Sequence, residues 1–277
     1  MRFFAPAKLN LSLDLGPLRQ DGYHEIRTTL QAVSFGDRLF LTPAERFAVV
    51  NPAVPQGDLV RRAGELFARA AGVAVRAEVR VVKRIPIGAG LGGGSSDAAC
   101  ALRALRALLR PDMPEKELSA LGAEIGSDVP FFLGPSPRAL AEGRGEVLTP
   151  LAPRAVRFVV IAWPGEALST ADVYRESAAG RGEATKEVLS GAELAGNDLA
   201  AAAARLSPAL AEMLRAAAAK GLHLQVTGSG SAAFSLHADL KDAVHALRAA
   251  RATASRAVLC TTLGEWPWQV NRHTGNE

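Results

Sequence analysis

Cysteine is scarce in this chain: two residues, Cys100 and Cys260, in 277. They stand far apart, in apolar surroundings and in no metal-ligand spacing. That excludes a disulfide framework and a cysteine-built zinc site. They read as buried reduced thiols of a cytoplasmic protein. Long apolar runs are missing too. The most apolar compact run, Phe158–Trp163, has the length of a strand and falls far short of the ~18 residues of a membrane span. The start of the chain has no signal-peptide core, because Lys8, Asn10 and Asp14 interrupt it. Nor is there a large excess of either charge: 32 Lys+Arg against 28 Asp+Glu leave +4, with no Lys/Arg-rich block. That balance suits anionic small molecules. A basic stripe with interleaved aromatics, which an RNA-binding module would want, is absent. Tyrosine is the other scarcity, with only Tyr23 and Tyr174, so each is followed below.

What is abundant is ordinary globular composition, 48% hydrophobic and 22% charged. At about 150 residues per domain, the length predicts two domains, and the stretch 150–153 reads as the boundary. Glycine is abundant in one place. Pro86, Ile87, Gly88, Ala89, Gly90, Leu91, Gly92, Gly93, Gly94, Ser95, Ser96 and Asp97 form one run with five glycines. Before it, residues 75–85 alternate apolar and charged, the period of a half-buried strand. After it, Ala98, Leu102, Leu105 and Leu109 recur at helical spacing up to Pro111, which cannot continue a helix. A glycine-rich turn entering a helix presents unpaired N–H groups and lets a ligand approach the backbone, so it is predicted to cradle phosphate. Ser95 or Ser96 is expected to cap the helix.

The loop carries no lysine, so it is not a Walker A loop. Gly88, Gly90 and Gly93 fit G-x-G-x-x-G, which keeps an NAD-dependent oxidoreductase as an alternative. Against it, the preceding strand is charged on one face, and Asp112, at about the right offset for the acid, follows no strand.

Elsewhere, Leu9, Leu11, Leu13 and Leu15 alternate with polar residues, so Lys8 and Asn10 share the polar face of a strand. Spacing alone favours Lys8 as a solvated residue. Asp21-Gly22 predicts a turn, with Tyr23 and His24 just after it; Gly36-Asp37 predicts a second turn between two strands. Helices are predicted over 58–71 and 115–125. Asp128, ahead of Val129-Pro130, reads as the N-cap of a short helix. Gly143-Arg144-Gly145 is a further turn that brings Arg144 towards an anionic site. Ser169 or Thr170 would cap a helix bearing Tyr174. Residues 177–187 read as a mobile loop, and those after Trp268 as a polar tail.

Three ordered stretches carry a family resemblance. The opening Pro6-Ala7-Lys8-Leu9-Asn10-Leu11, the glycine run 86–97, and residues 226–234 with Gly228-Ser229-Gly230 resemble the three motifs of the galactokinase, homoserine kinase, mevalonate kinase and phosphomevalonate kinase superfamily. Ala89 stands where many relatives carry glycine, which leaves the reading unchanged. Asp21-Gly22-Tyr23-His24 and Gly126-Ser127-Asp128-Val129-Pro130-Phe131 point to a member whose alcohol substrate, a methylerythritol, carries a cytidine diphosphate. Another small-alcohol kinase of the superfamily is the nearer alternative. The resemblance implies an α/β fold with mixed sheets in two domains: 1–152 for ATP and catalysis, 153–277 for substrate, with the active site in the cleft. It implies Lys8 and Asp128 as the catalytic pair, Asp128 taking the proton of the attacking hydroxyl. Residues 86–96 would bind the triphosphate of ATP, which would bring Mg²⁺. Ser95 is available to the metal, and no glutamate matches the second ligand of mevalonate kinase relatives. Asn10 would place the substrate, Tyr23 and Tyr174 would sandwich cytosine, His24 would read the base edge, and Thr170 would hold the diphosphate. No protein partner is implied.

Overall fold

The computed structural model describes residues 1–54, 58–179 and 196–267. The first half of the chain gives β1 (Arg2–Leu18), β2 (His24–Pro43), β3 (Ala48–Val50), α1 (Leu59–Ala71), β4 (Ala77–Val82), α2 (Gly93–Leu109), α3 (Glu115–Ile125), α4 (Val129–Leu133), β5 (Arg138–Glu142) and β6 (Val147–Pro150). The second gives β7 (Phe158–Trp163), α5 (Thr170–Ala179), β8 (Gly196–Asn197), α6 (Ala200–Leu206), α7 (Pro208–Ala218), β9 (Gln225–Val226), β10 (Ala233–His237), α8 (Leu240–Arg251) and β11 (Arg256–Thr261).

Two sheets result. The larger runs β3-β4-β2-β1-β8, with β5 on β2 and β6 on β5; the smaller runs β11-β7-β10-β9. Helices α1 to α4 pack their apolar sides on the larger sheet through Phe67, Leu102, Leu105 and Phe132. Helices α5 to α8 cover the smaller one through Val173, Leu210, Met213 and Ala250. A third core, with Leu9, Phe35, Ile85 and Leu91 on one side and Val159, Ile161 and Phe234 on the other, joins the two sheets. Two pieces cross back to the first sheet: β8 pairs parallel with β1, and Trp266 is fully buried beside Phe131 at a ring separation of 5.5 Å.

Several expectations are corrected. There is no turn at Gly36-Asp37: β2 runs straight through it. Gly36 pairs with Pro6 beside a register shift of β1, and a Cβ there would strike the Ala5 carbonyl and lie 2.7 Å from Phe4. The glycine permits close strand approach, not a reversal. Asp37 points inward and is fully buried. Residues 177–179 of the expected loop are the last of α5; its remaining residues and the tail after Trp268 lie outside the described residues. The short strands β3, β5 and β6 were not expected from the sequence, since none is long enough to show a period.

Candidate active site

The glycine run leaves β4 and enters α2 as its periodicity predicts, and its backbone is tied down from three directions. Lys8 N donates to Leu91 O at 3.0 Å, Leu168 N to Gly88 O at 3.0 Å and Ala232 N to Ala89 O at 3.1 Å. Gly88, Gly90 and Gly92 take left-handed φ of 65°, 77° and 68°, and a Cβ at Gly90 would collide with the Thr227 carbonyl oxygen. The loop therefore packs against the chain around 227–230, a contact only glycine allows. The helix cap is Gly92, without a side-chain bond, so neither Ser95 nor Ser96 caps it; both lie inside the first turn. Residues Pro86 to Ser95 line a cavity of about 320 Å³, whereas Ser96 is buried away from it.

Asp128 lines the same cavity. It occupies the cap position of α4, yet its side chain makes no capping bond. Its Oδ2 lies 3.8 Å from Lys8 Nζ. Lys8 is not the solvated residue its spacing suggested; it is 5% exposed and donates to Asn10 Oδ1 at 2.6 Å. Asn10 is fixed in turn, donating from Nδ2 to Thr28 Oγ1 at 2.8 Å and from its backbone to Thr227 Oγ1 at 2.9 Å. A register shift of β1 between Pro6 and Lys8 turns this segment onto the loop. Trp266 Nε1 holds the far end of α4 by donating to Gly134 O at 2.8 Å.

Sequence reasoning missed the lysine under the loop. Lys83 follows β4, lines the cavity, and donates to Asp37 Oδ2 at 2.5 Å and Asp97 Oδ2 at 2.7 Å. Burial pushes the Asp97 carboxyl up to about 8, against the pull of Lys83 and with the nearby Asp37 adding to the rise. Asp97 Oδ1 has no hydrogen-bond partner among the described residues. The signal was a charge at the end of an alternating strand, which reads equally well as a solvated residue. Asn51, Val54, Asp58 and Leu59 also line the cavity. Asn51 Nδ2 donates to Asp58 Oδ2 at 2.7 Å.

The expected substrate residues are spread between two places. Thr170 lines the loop cavity, with Oγ1 2.9 Å from Ser229 Oγ. The Tyr174 ring stacks on His24 at 6.1 Å and 23° between planes. Burial pushes the Tyr174 phenol up to about 12, and the charge of Asp128 adds to it. Tyr23 is 57% exposed, with the Arg144 guanidinium 5.0 Å from its ring centre. Arg144 thus meets an aromatic face, and pairs with Glu146 at 3.7 Å.

Comparison with known proteins follows the same lines. Residues 58–134 match the GHMP kinases N terminal domain, and residues 183–256 match the GHMP kinases C terminal. The chain is 41% identical over 247 residues to 4-diphosphocytidyl-2-C-methyl-D-erythritol kinase of Anaeromyxobacter dehalogenans, covering 83% of this chain and 78% of that one. A crystal structure of 4-(cytidine 5'-diphospho)-2C-methyl-D-erythritol kinase superposes with a TM-score of 0.83 at 38% identity, over 95% of this chain and 99% of that one. A mevalonate kinase shares the fold, with a TM-score of 0.70 at 13% identity over 96% of this chain and all of the other. The two-domain mixed α/β architecture is that of these kinases. The dinucleotide alternative falls with it: β4, which leads into the glycine run, pairs antiparallel with β2.

Proposed function

The chain belongs to the 4-diphosphocytidyl-2-C-methyl-D-erythritol kinases among the GHMP kinases and is an ATP-dependent kinase; on that premise we propose that Asp128 is its general base and Lys8 the cation beside it. The observation that carries this is the 3.8 Å approach of Lys8 Nζ to Asp128 Oδ2 on the wall of the cavity that the glycine run forms. The substrate is the cytidyl diphosphate alcohol of non-mevalonate isoprenoid synthesis, phosphorylated at the carbon-two hydroxyl. Asp128 accepts that proton as the hydroxyl oxygen attacks phosphorus, and Lys8 offsets charge on the phosphoryl group in flight. Asn10 keeps the Lys8 ammonium aimed at the carboxylate. Residues 87–95, which line the cavity, offer backbone N–H groups and the start of α2 to the triphosphate. Asn51, Val54, Asp58 and Leu59, on the wall of the same cavity, are left for the nucleoside. Phosphotransfer from ATP to the cytidyl substrate, run against mevalonate, tests the whole reading. Preference for mevalonate would overturn it.

Side chains on the cavity wall that could meet a cation offer oxygen donors, which suits Mg²⁺. Ser95, on the cavity wall, would hold the ion that accompanies the nucleotide, and the ion would supply charge neutralisation to the phosphates. The lobes divide at 152/153, apart from the two pieces that cross back. The cytoplasm is the proposed location. The free Cys100 and Cys260 fit a reducing compartment, and no helix among the described residues is long and apolar enough to cross a membrane.

Two outcomes test the binding groups. At Gly93 a Cβ would meet Ile85 Cγ2 at 2.9 Å, so a substitution there disturbs the core. At Gly94 the nearest atom is Leu59 Cδ1 at 3.5 Å, and the residue lines the cavity. Gly94→Val is therefore expected to keep the melting temperature and to weaken ATP at least about tenfold by calorimetry, ~1.4 kcal/mol. Unchanged ATP affinity would move the triphosphate elsewhere. For cytosine, the candidate aromatic surfaces are the exposed Tyr23 ring and the Tyr174–His24 stack, and the charge of Asp128 reaches Tyr174. Tyr23→Ala or Tyr174→Ala should weaken the cytidyl substrate about 5- to 150-fold and leave ATP alone. Tyr174→Phe should be mild, and His24→Ala should reduce discrimination between cytidine and uridine analogues. If both alanine variants only lower the melting temperature, the tyrosines are packing residues.

A further inference from the structure

A second cavity, about 510 Å³, lies between the start of β1 and the second half of α2. It shares no lining residue with the loop cavity. Its size falls in the range of small-molecule sites. Arg2, Arg103 and Arg106 are among its lining residues, and no carboxylate lines it among the described residues. Phe3, Phe4 and Pro111 supply an apolar surface. Pro267 adds a further apolar edge, held in place by its buried neighbour Trp266. Arg103 and Arg106 project from α2 one turn apart, so their heads reach the same region. Arg106 also pairs with Glu115 at 2.5 Å, a carboxylate 61% exposed and able to yield to a competing anion.

Convergent guanidinium groups beside an apolar wall select a ligand with an anionic head and a hydrocarbon body. The guanidinium fork matches phosphate oxygens in pairs, and burial of the chain supplies the rest. The site is also mechanically connected. Arg103 Nη2 donates to Leu133 O, the last carbonyl of α4, at 2.5 Å. Helix α4 begins directly after Asp128, and α2 begins at the glycine run, about 15 Å along the axis from Arg103. An anion that recruits Arg103 competes with the Leu133 carbonyl for the same guanidinium.

We propose that this cavity is an effector site for a phosphate monoester bearing a hydrocarbon chain, and that its occupation lowers turnover without competing with ATP. Octyl phosphate is the probe, with inorganic phosphate and octanol as the two half-ligands. Calorimetry on the full chain should show one site for octyl phosphate, retained with ADP at saturation, and both half-ligands weaker by about tenfold or more. Arg2→Gln/Arg106→Gln should lose octyl phosphate affinity by about tenfold or more at unchanged basal turnover. Ala107→Trp, at an exposed position on the wall, should fill the cavity and abolish binding should the arginine variant fold poorly. Saturating octyl phosphate should reduce kcat at saturating concentrations of both substrates. Displacement by ADP, equal binding in both variants, absence of binding, or binding without a change in kcat would each overturn the proposal.

Discussion

Asp128→Asn should lower turnover by about 10²–10⁴-fold while ATP binds nearly as in the wild type, the range expected when a positioned base is removed. The asparagine keeps the shape of the side chain. Because the Asp128 side chain makes no capping bond to α4, the change costs the helix no such bond. What goes is the proposed acceptor for the hydroxyl proton and the charge facing Lys8. Lys8→Met should cost a similar factor. The two groups stand 3.8 Å apart and act on one event, so the double variant should lose less than the product of the singles. Single-turnover rates on folded preparations decide this. Turnover near the wild-type rate in Asp128→Asn would remove Asp128 from the role of base.

Lys83→Met should destabilise the fold by about 3–5 kcal/mol, the usual cost of leaving buried charge without its partner. Asp37 is fully buried and Asp97 is 2% exposed, so neither can recover its hydration in the variant. Adding Asp37→Asn removes the buried carboxylate left without its partner, and should restore part of the loss. Denaturant midpoints at constant m-value measure both changes. A loss under about 1 kcal/mol in Lys83→Met would place the cluster among weak surface pairs and contradict its burial. The same variant should also weaken ATP, because Lys83 lines the loop cavity. A cation beside the glycine run answers the loop's lack of lysine: β4 delivers it from just before the loop.

Local pattern made much of the architecture legible. The strand–loop–helix unit announced itself because period-two alternation, a glycine run and a 3.6-residue repeat follow one another within about forty residues, and each is a property of near neighbours. Helices α1 and α3 follow the sequence for the same reason. Gly36 failed as a guide. Glycine signals either a turn or a close approach, and the partner strand that distinguishes them is about thirty residues away. Rarity singled out the two tyrosines but says nothing about ring partners; His24 and Arg144 hold those places.

The sequence by itself placed the glycine run between a strand and a helix, and Lys8 and Asn10 on one strand face. It determined the family, through motifs whose residues are ordered along the chain. Tertiary structure alone decided what those residues meet. Alternation shows that Lys8 and Asn10 share a face, yet not that this face is buried against residues 91, 128 and 227. A charged residue on a strand is solvated or buried according to what folds over it, and that depends on contacts between distant segments, which no local period encodes. The Lys83 cluster and the cavity walled by Arg2, Arg103 and Arg106 arose in the same way, from elements far apart in the chain brought together when the apolar faces between them left water.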